Sequence, residues 1–388
     1  MEGYNPNEVA QKILDAIKKE YQELNRLNVM VLGKTGVGKS TLINNLFSRK
    51  VAETGVGKPV TEHIRKLELP DYPLAIYDTP GFELSGDNDI DHLLEQVIDE
   101  VEKGIASGDI GQAVHCIWYC VSTPSHRFEP AEKQFLQRLL DGVASYQVPV
   151  IVILTQSYSK SDAKKLRAAI ERENLAIANI VPVLAEDYEV DEDYTVRAFG
   201  LAQLCEIMNN VIPEAVRKTF VALEVANIEL KKGRARAVVA ASATTAAATG
   251  AIPIPFSDAA LLVPEQITML AGITAVFGIP VEKATLLSLL SATVGTTGTT
   301  VLGRSIVGGL MKLIPGVGSV AGGAISGATA AALTAALGEA YIIILTRVMK
   351  GEMKTSELGT KAGQKEIARI FREQLSLRRD RTGKPEEL

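Results

Sequence analysis

Aromatic residues make up only 5% of the 388-residue chain, and Trp118 is the single tryptophan. So few ring faces disfavour a base-stacking surface. An excess of positive charge is lacking too: 41 Lys and Arg stand against 46 Asp and Glu, a formal net charge of −5. A whole-chain nucleic-acid footprint would be basic, so no nucleic-acid partner is expected. Cysteine is scarce. Cys116, Cys120 and Cys205 cannot build a disulfide framework, and no second ligand pair joins Cys116 and Cys120 in a zinc site. A reduced, cytosolic compartment is the natural reading. Four histidines supply no complete metal-ligand set, and His115, Trp118 and Cys120 in HCIWYCV read as core or strand-face residues. The N-terminal MEGYNPNEVAQKILDAIKKE is charged and amphipathic without the apolar core of a signal peptide, so secretion is not expected.

Charge is also missing locally. No charged residue occurs from Ala237 to Ser257, from Ala284 to Gly303, or from Leu313 to Gly338. The chain reads as a charged α/β half, an uncharged Gly/Ala-rich section and a polar tail. Apolar residues, 46% of the total, suffice for a packed core, and the length suits two or three domains.

Apolar spacing predicts a helix over 6–27 and a buried strand at Val29–Leu32. A Gly-rich turn and a helix from Lys39 to Phe47 follow. Ile64–Leu69 and Leu74–Tyr77 read as a strand pair. An acidic helix (88–105), a strand (Ala113–Val121), a helix (131–144), a strand (Val148–Leu154) and a helix (160–172) come next. Ile180–Leu184 is a last short strand before a helix over about 200–212. This alternation predicts an α/β fold with a mostly parallel sheet and helices on both faces, joined to a second, all-α domain. Pro213 marks the boundary, and Ile-Pro pairs at 252–253, 279–280 and 314–315 divide the rest into helices near 214–249, 258–277, 281–312 and 317–350. The organisation expected is an N-terminal helix (1–27), an α/β domain (28–212), a Gly/Ala-rich helical domain (213–350), and a C-terminal helix and tail (351–388), its end frayed.

Residues 33–40, Gly-Lys-Thr-Gly-Val-Gly-Lys-Ser, follow a predicted strand and open a predicted helix. Gly36 and Gly38 let backbone N–H groups close around phosphate oxygens. Lys39 supplies a cation to the β- and γ-phosphates, Ser40 offers a hydroxyl to Mg²⁺, and the helix N-terminus adds positive potential. The whole run Gly33, Lys34, Thr35, Gly36, Val37, Gly38, Lys39, Ser40 and Thr41 is therefore expected at a nucleotide. Asp78-Thr79-Pro80-Gly81 ends the Leu74–Tyr77 strand. There Asp78 is expected to hold Mg²⁺ through water, and Gly81 to present an N–H to a γ-phosphate. Thr61, in the loop Gly57–Thr61, is expected on Mg²⁺ and γ-phosphate as part of a nucleotide-sensing loop; Thr54 competes for that role.

This set resembles the translation-factor-related GTPases of the Era and MnmE branch over residues 28–212. GKTGVGKSTLINNLF is also similar to immunity-related and septin- or Toc-like GTPases. The resemblance implies GTP and GDP as ligands, Mg²⁺ as cofactor, and Lys39, Thr61 and Gly81 as the catalytic set. It also carries over the base-recognition motif Asn/Thr-Lys-x-Asp, and here the sequence departs. Thr155 matches, Gln156 replaces the Lys, and Tyr158 stands where the guanine-reading Asp belongs; Asp162 follows four residues later. Backbone near Ala185 is implied at the guanine carbonyl. Phe82 follows Gly81 where Ras-like enzymes place a water-orienting Gln, and Gly36 replaces the K⁺-holding Asn of MnmE-like enzymes. Slow intrinsic hydrolysis is expected, with a second protomer as a source of activation through a G-domain homodimer.

Of the 26 residues Leu313–Gly338, 18 are Gly, Ala, Ser or Thr: long enough to span a bilayer, weak in transfer free energy, and with small-residue spacing that suits close helix pairs. Lys231, Lys232, Arg234 and Arg236 precede the first uncharged stretch and suit either a solvated face or anionic headgroups. AIPIPFSDAALLVPEQITML, with IPGVG, is similar to the YcjF-type helical domain over about 214–350. That resemblance implies membrane association and adds membrane lipid as a partner, at the inner face of a membrane, peripheral or integral. Two other readings stay open: a soluble scaffold whose bundle docks a protein, and a P-loop ATPase.

Overall fold

A computed structural model describes residues 6–47, 56–59, 64–68, 73–79, 87–250, 258–279, 327–354, 357 and 360–381. They form two compact units, Leu24–Asn227 and Met1–Glu23 with Ile228–Leu388.

In the first unit the central strands are β1 (Leu27–Leu32), β4 (Leu74–Asp78), β5 (Cys116–Ser122), β6 (Val150–Thr155) and β7 (Asn179–Pro182). All pair in parallel, and β2 (Val56–Pro59) and β3 (Arg65–Glu68) add an antiparallel edge, giving the order β2-β3-β4-β1-β5-β6-β7. Every residue of β1 and β6 is buried, as apolar runs in a sheet covered on both faces must be. On one face Met30, Leu32, Ile117, Tyr119 and Val152 pack under helices α3 (Asp87–Ala106), α4 (Pro130–Val143) and α5 (Lys160–Glu171). On the other, Trp118 stacks on Phe47 at 6.1 Å and directs its Nε1–H to the Met208 sulfur, 3.1 Å away. Phe47 ends α2 (Lys39–Leu46), and Met208 sits on α6 (Leu201–Val211).

Two features differ from the sequence reading. Residues 57–59, read as loop, belong to β2. Gly57 and Pro59 look like loop chemistry, and an edge strand tolerates the missing proline N–H. The helix expected over 214–249 is two helices, α7 (Glu214–Leu223) and α8 (Ile228–Gly250). The break falls where Phe47 bridges Glu224 and the Val225 N–H donates to the Leu46 carbonyl. α7 therefore belongs to the sheet unit, with Thr219 Oγ1 donating to the Asn25 carbonyl at 2.7 Å.

The second unit joins α1 (Pro6–Gln22) to α8, α9 (Asp258–Phe277), α10 (Gly327–Met349) and α11 (Lys361–Arg381). Ile13 and Ile17 of α1 lie in one core with Met269, Ile273, Ala336, Ile342 and Phe371. Small residues set the helix separations. A Cβ on Gly327 would stand 2.4 Å from the Ala247 carbonyl oxygen, and one on Gly338 would stand 2.4 Å from Val239 Cγ2. Residues 280–326, with most of Leu313–Gly338 and the helix expected at 281–312, lie outside the described residues.

Lys231, Lys232 and Arg236 are engaged within the unit. Lys231 is buried and donates to the Val276 carbonyl at 3.0 Å, Lys232 pairs with Glu229 at 2.8 Å, and Arg236 meets Glu339 at 3.4 Å. The C-terminal helix expected within 351–388 runs from Lys361 to Arg381, because Ile367, Ile370, Phe371 and Leu375 present a buried face at helical spacing; residues 382–388 lie outside the described residues. Glu366 on that helix accepts from Arg369 at 2.6 Å and Arg347 at 2.7 Å, which holds its carboxyl down to about 2. Gly338→Leu should destabilise this unit by about 1–3 kcal/mol through overpacking against Val239 and Met269. Thermal denaturation of the full chain reads it, and an unchanged melting profile would contradict the close packing.

Candidate functional site

β1 runs straight into the Gly-rich loop. Gly33 has φ 148°, and a Cβ there would lie 2.6 Å from the Cys120 carbonyl oxygen on β5. The loop can leave the sheet here only with glycine. Gly36 (φ 75°) and Gly38 (φ 91°) occupy the left-handed region, and Gly38 is the N-cap of α2. A Cβ on Gly36 would meet open space, so its requirement is conformational rather than steric. The loop thus turns around the N-terminus of an eight-residue helix, where unpaired N–H groups and the helix dipole favour an anion.

Lys39, the first residue of α2, is only 9% exposed. Its ammonium donates to the carbonyls of Gly33 at 2.9 Å and Lys34 at 3.2 Å. Burial pulls its pKa below the usual lysine value, against the attraction of Asp78 and Cys120. Asp78, at the end of β4, shows the complementary perturbation. Burial pushes its carboxyl up, opposed by Lys39 and Arg65, and its Oδ1 is buried with no hydrogen-bond partner. An orphaned buried carboxylate oxygen beside a buried ammonium fits a hard cation such as Mg²⁺. Ser40 is exposed in the first turn of α2. The side chain of Lys34 turns away to Glu129 at 2.8 Å and Glu132 at 3.3 Å, at the head of α4. Val37 is buried under Gly33. Thr35 is exposed. Thr61, Gly81, Phe82 and Thr54 lie outside the described residues.

At the other end of the loop, Gly38, Thr41, Thr155, Gln156, Tyr158, Ala185 and Tyr188 line a cleft of about 100 Å³ open to solvent. Gln156 (φ 52°) is a neutral strut: its Oε1 accepts from Ser122 at 2.7 Å, and its Nε2 donates to the Gly36 carbonyl at 3.0 Å. The amide thereby ties the phosphate loop to β5 and β6. Thr155 is buried and its hydroxyl donates to the Val121 carbonyl at 3.1 Å. The Tyr158 and Tyr188 rings meet at 4.1 Å between centroids. Tyr188 comes from a two-stranded hairpin, β8 (Tyr188–Glu189) with β9 (Thr195–Val196). Sequence reasoning misses Ser122 and this hairpin, since neither carries a motif. Asp162 sits in the first turn of α5, paired with Lys165 at 3.1 Å, and does not line the cleft.

A strand–Gly loop–helix with a buried lysine, in a sheet of this order, defines a P-loop nucleotide-binding fold of the GTPase class. Residues 28–156 match the family described as 50S ribosome-binding GTPase, and residues 222–379 match a Domain of unknown function (DUF697). The chain thus carries a P-loop GTPase domain and a DUF697 domain. Among curated proteins it is similar to human Septin-12, 26% identical over 47% of this chain and 56% of that one. Cell division control protein 10 of Candida albicans is 28% identical over 54% of this chain and 61% of that one. The chain spans a little over half the length of these relatives. Among solved structures, a probable GTP-binding protein engB is 17% identical with a TM-score of 0.32, covering 47% of this chain and 97% of that one. Toc33 of Arabidopsis thaliana is 18% identical with a TM-score of 0.30, covering 54% and 91%.

The electrostatics give a direct prediction. A carboxyl whose folded pKa is raised stabilises the fold below its ordinary value of 3.8 and loses that contribution as pH rises through the folded value. Without nucleotide, Asp78→Asn should therefore melt higher than the parent at neutral pH and alike below the ordinary carboxylate range. It should also lose any rise in Tm produced by Mg²⁺ with nucleotide. A parent stabilised by its ionised Asp78 would contradict this.

Proposed function

We propose that the sheet unit binds and slowly hydrolyses GTP with Mg²⁺, and that its nucleotide state controls the helical unit as a switch. The observation that carries the phosphate site is the conjunction at residues 33–40 and 78: left-handed glycines at a helix N-terminus, a buried lysine held on loop carbonyls, and a buried carboxylate oxygen without a partner. Backbone N–H groups of Gly36–Lys39 bind the phosphate chain. Lys39 exchanges the Gly33 and Lys34 carbonyls for β- and γ-phosphate oxygens, so its desolvation is offset by a full negative charge. Ser40, Thr61 and Asp78 would hold Mg²⁺, which when bound would neutralise developing charge on the phosphates. Thr61 and Gly81 are assigned to the γ-phosphate. Thr155, Gln156 and Ala185 form the base end, with Gln156 fixing the loop rather than reading the base. Phe82 has no amide to orient water, so the intrinsic rate is on the order of 10⁻⁴–10⁻² s⁻¹, and a second protomer is the proposed source of activation. The location proposed is cytoplasmic, at a membrane face.

Lys39→Ala should weaken GDP and GTP binding by at least about 100-fold, as expected when a buried charge-assisted contact is removed. Equilibrium titration with ribose-labelled nucleotides measures it, and retained affinity would refute the phosphate site.

One described stretch, Ala330–Met349, is long and apolar enough to cross a membrane, yet 61% of its apolar window is buried within the fold. That burial, together with the internal partners of Lys231, Lys232 and Arg236, favours a second reading in which the bundle docks protein rather than lipid. Flotation with neutral and anionic vesicles, in GDP and in a non-hydrolysable GTP analogue, separates the two. Nucleotide-dependent flotation supports the membrane switch; none in either state leaves the protein-docking reading.

A further inference from the structure

The cleft beside Gly38 lacks the carboxylate expected at Tyr158, and the structure offers a substitute from a different strand end. Two carboxylates line the cleft, Glu186 and Asp187. Asp187 is committed: its Oδ1 accepts from the Ala198 N–H at 2.7 Å and its Oδ2 from Arg197 at 2.6 Å. Glu186 has no hydrogen-bond or ion-pair partner among the described residues. It follows Ala185, just beyond β7, where Leu184 is pinned by a two-way backbone bridge to Phe199. Its backbone is thereby fixed while its side chain stays exposed. Glu186 is also close enough to Tyr158 to raise the phenol's pKa, after burial and Tyr188. The cleft therefore has an aromatic wall, Tyr158 against Tyr188, and one uncommitted anion at its rim.

We propose that Glu186 is the specificity-determining residue of the base cleft, its carboxylate accepting the N1–H and 2-amino donors of guanine while Tyr158 and Tyr188 supply the apolar wall. The donor pattern decides the base. Guanine presents two adjacent donors on this edge, which match the two oxygens of a carboxylate. Adenine presents an unprotonated N1 next to its 6-amino group, so one carboxylate oxygen would face a lone pair. A Tyr at position 158 can provide contact area but no second acceptor oxygen. This inference rests on the nucleotide-site reading above and extends it to the base.

Xanthine distinguishes the proposal from a general loss of structure, because it carries a carbonyl where guanine has its 2-amino group. A carboxamide can donate to that carbonyl and accept from N1–H, whereas a carboxylate is repelled by it. The test is equilibrium binding of ribose-labelled GDP, XDP and ADP, with Mg²⁺, to the full chain and to Glu186→Gln. The parent is expected to prefer GDP over both others. Glu186→Gln is expected to weaken GDP by about 10- to 100-fold and to bind XDP more tightly than the parent does. A gain of XDP affinity cannot come from misfolding. A variant that keeps its GDP preference, or loses GDP without gaining XDP, overturns the role of Glu186 and leaves the phosphate site standing. A parent that prefers ADP does the same. A parent that binds none of the three overturns the nucleotide reading itself.

Discussion

The sheet unit is organised around a buried cation. Lys39 sits at the start of α2 with its charge nearly out of water, held by two carbonyls of its own loop and by the field of Asp78. An ammonium in that position is tolerable only with several acceptors around it. Gly33 must bring the loop within reach by leaving β1 at a φ that other residues resist, against the backbone of β5. Asp78 must end β4 next door, which the parallel register of β1 and β4 enforces by pairing Val31 with Asp78. The strand order, the loop glycines and the lysine are one electrostatic arrangement.

The helical unit rests on a different constraint, the closeness of its helices. Gly327 and Gly338 of α10 lie where Ala247, Val239 and Met269 leave no room for a Cβ. Thr274 and Tyr341 bond through their hydroxyls at 2.7 Å inside this packing, so these two polar groups are satisfied within it. Small residues serve such contact in water as they do in lipid. A Gly/Ala-rich composition therefore describes the spacing of the helices.

What was legible in the sequence is what depends on local spacing. Residues 33–40 declare a phosphate loop because the glycines, lysine and serine act within one turn, and the apolar runs of β1, β5 and β6 declare buried parallel strands. The base end was less legible because it is built from segments far apart. Ser122, Gln156 and Gly36 meet only once β5, β6 and the loop are side by side. Tyr188 reaches Tyr158 through a hairpin of two-residue strands, too short to announce itself. The division between the units was misplaced for the same reason: α7 looks continuous with α8 until Phe47 bridges Glu224. The C-terminal helix was legible in part: its charges are conspicuous, while the stripe Ile367, Ile370, Phe371 and Leu375 is what anchors it.

In the proposed switch, the nucleotide at the Lys39 loop is felt in the helical unit. Amide hydrogen exchange of the full chain, saturated with Mg²⁺ and either GDP or a non-hydrolysable GTP analogue, tests it most directly. Exchange in the helices spanning 228–250, 258–277 and 327–349 is expected to differ between the two states. Identical exchange across those helices, with the phosphate loop protected in both states, would contradict it.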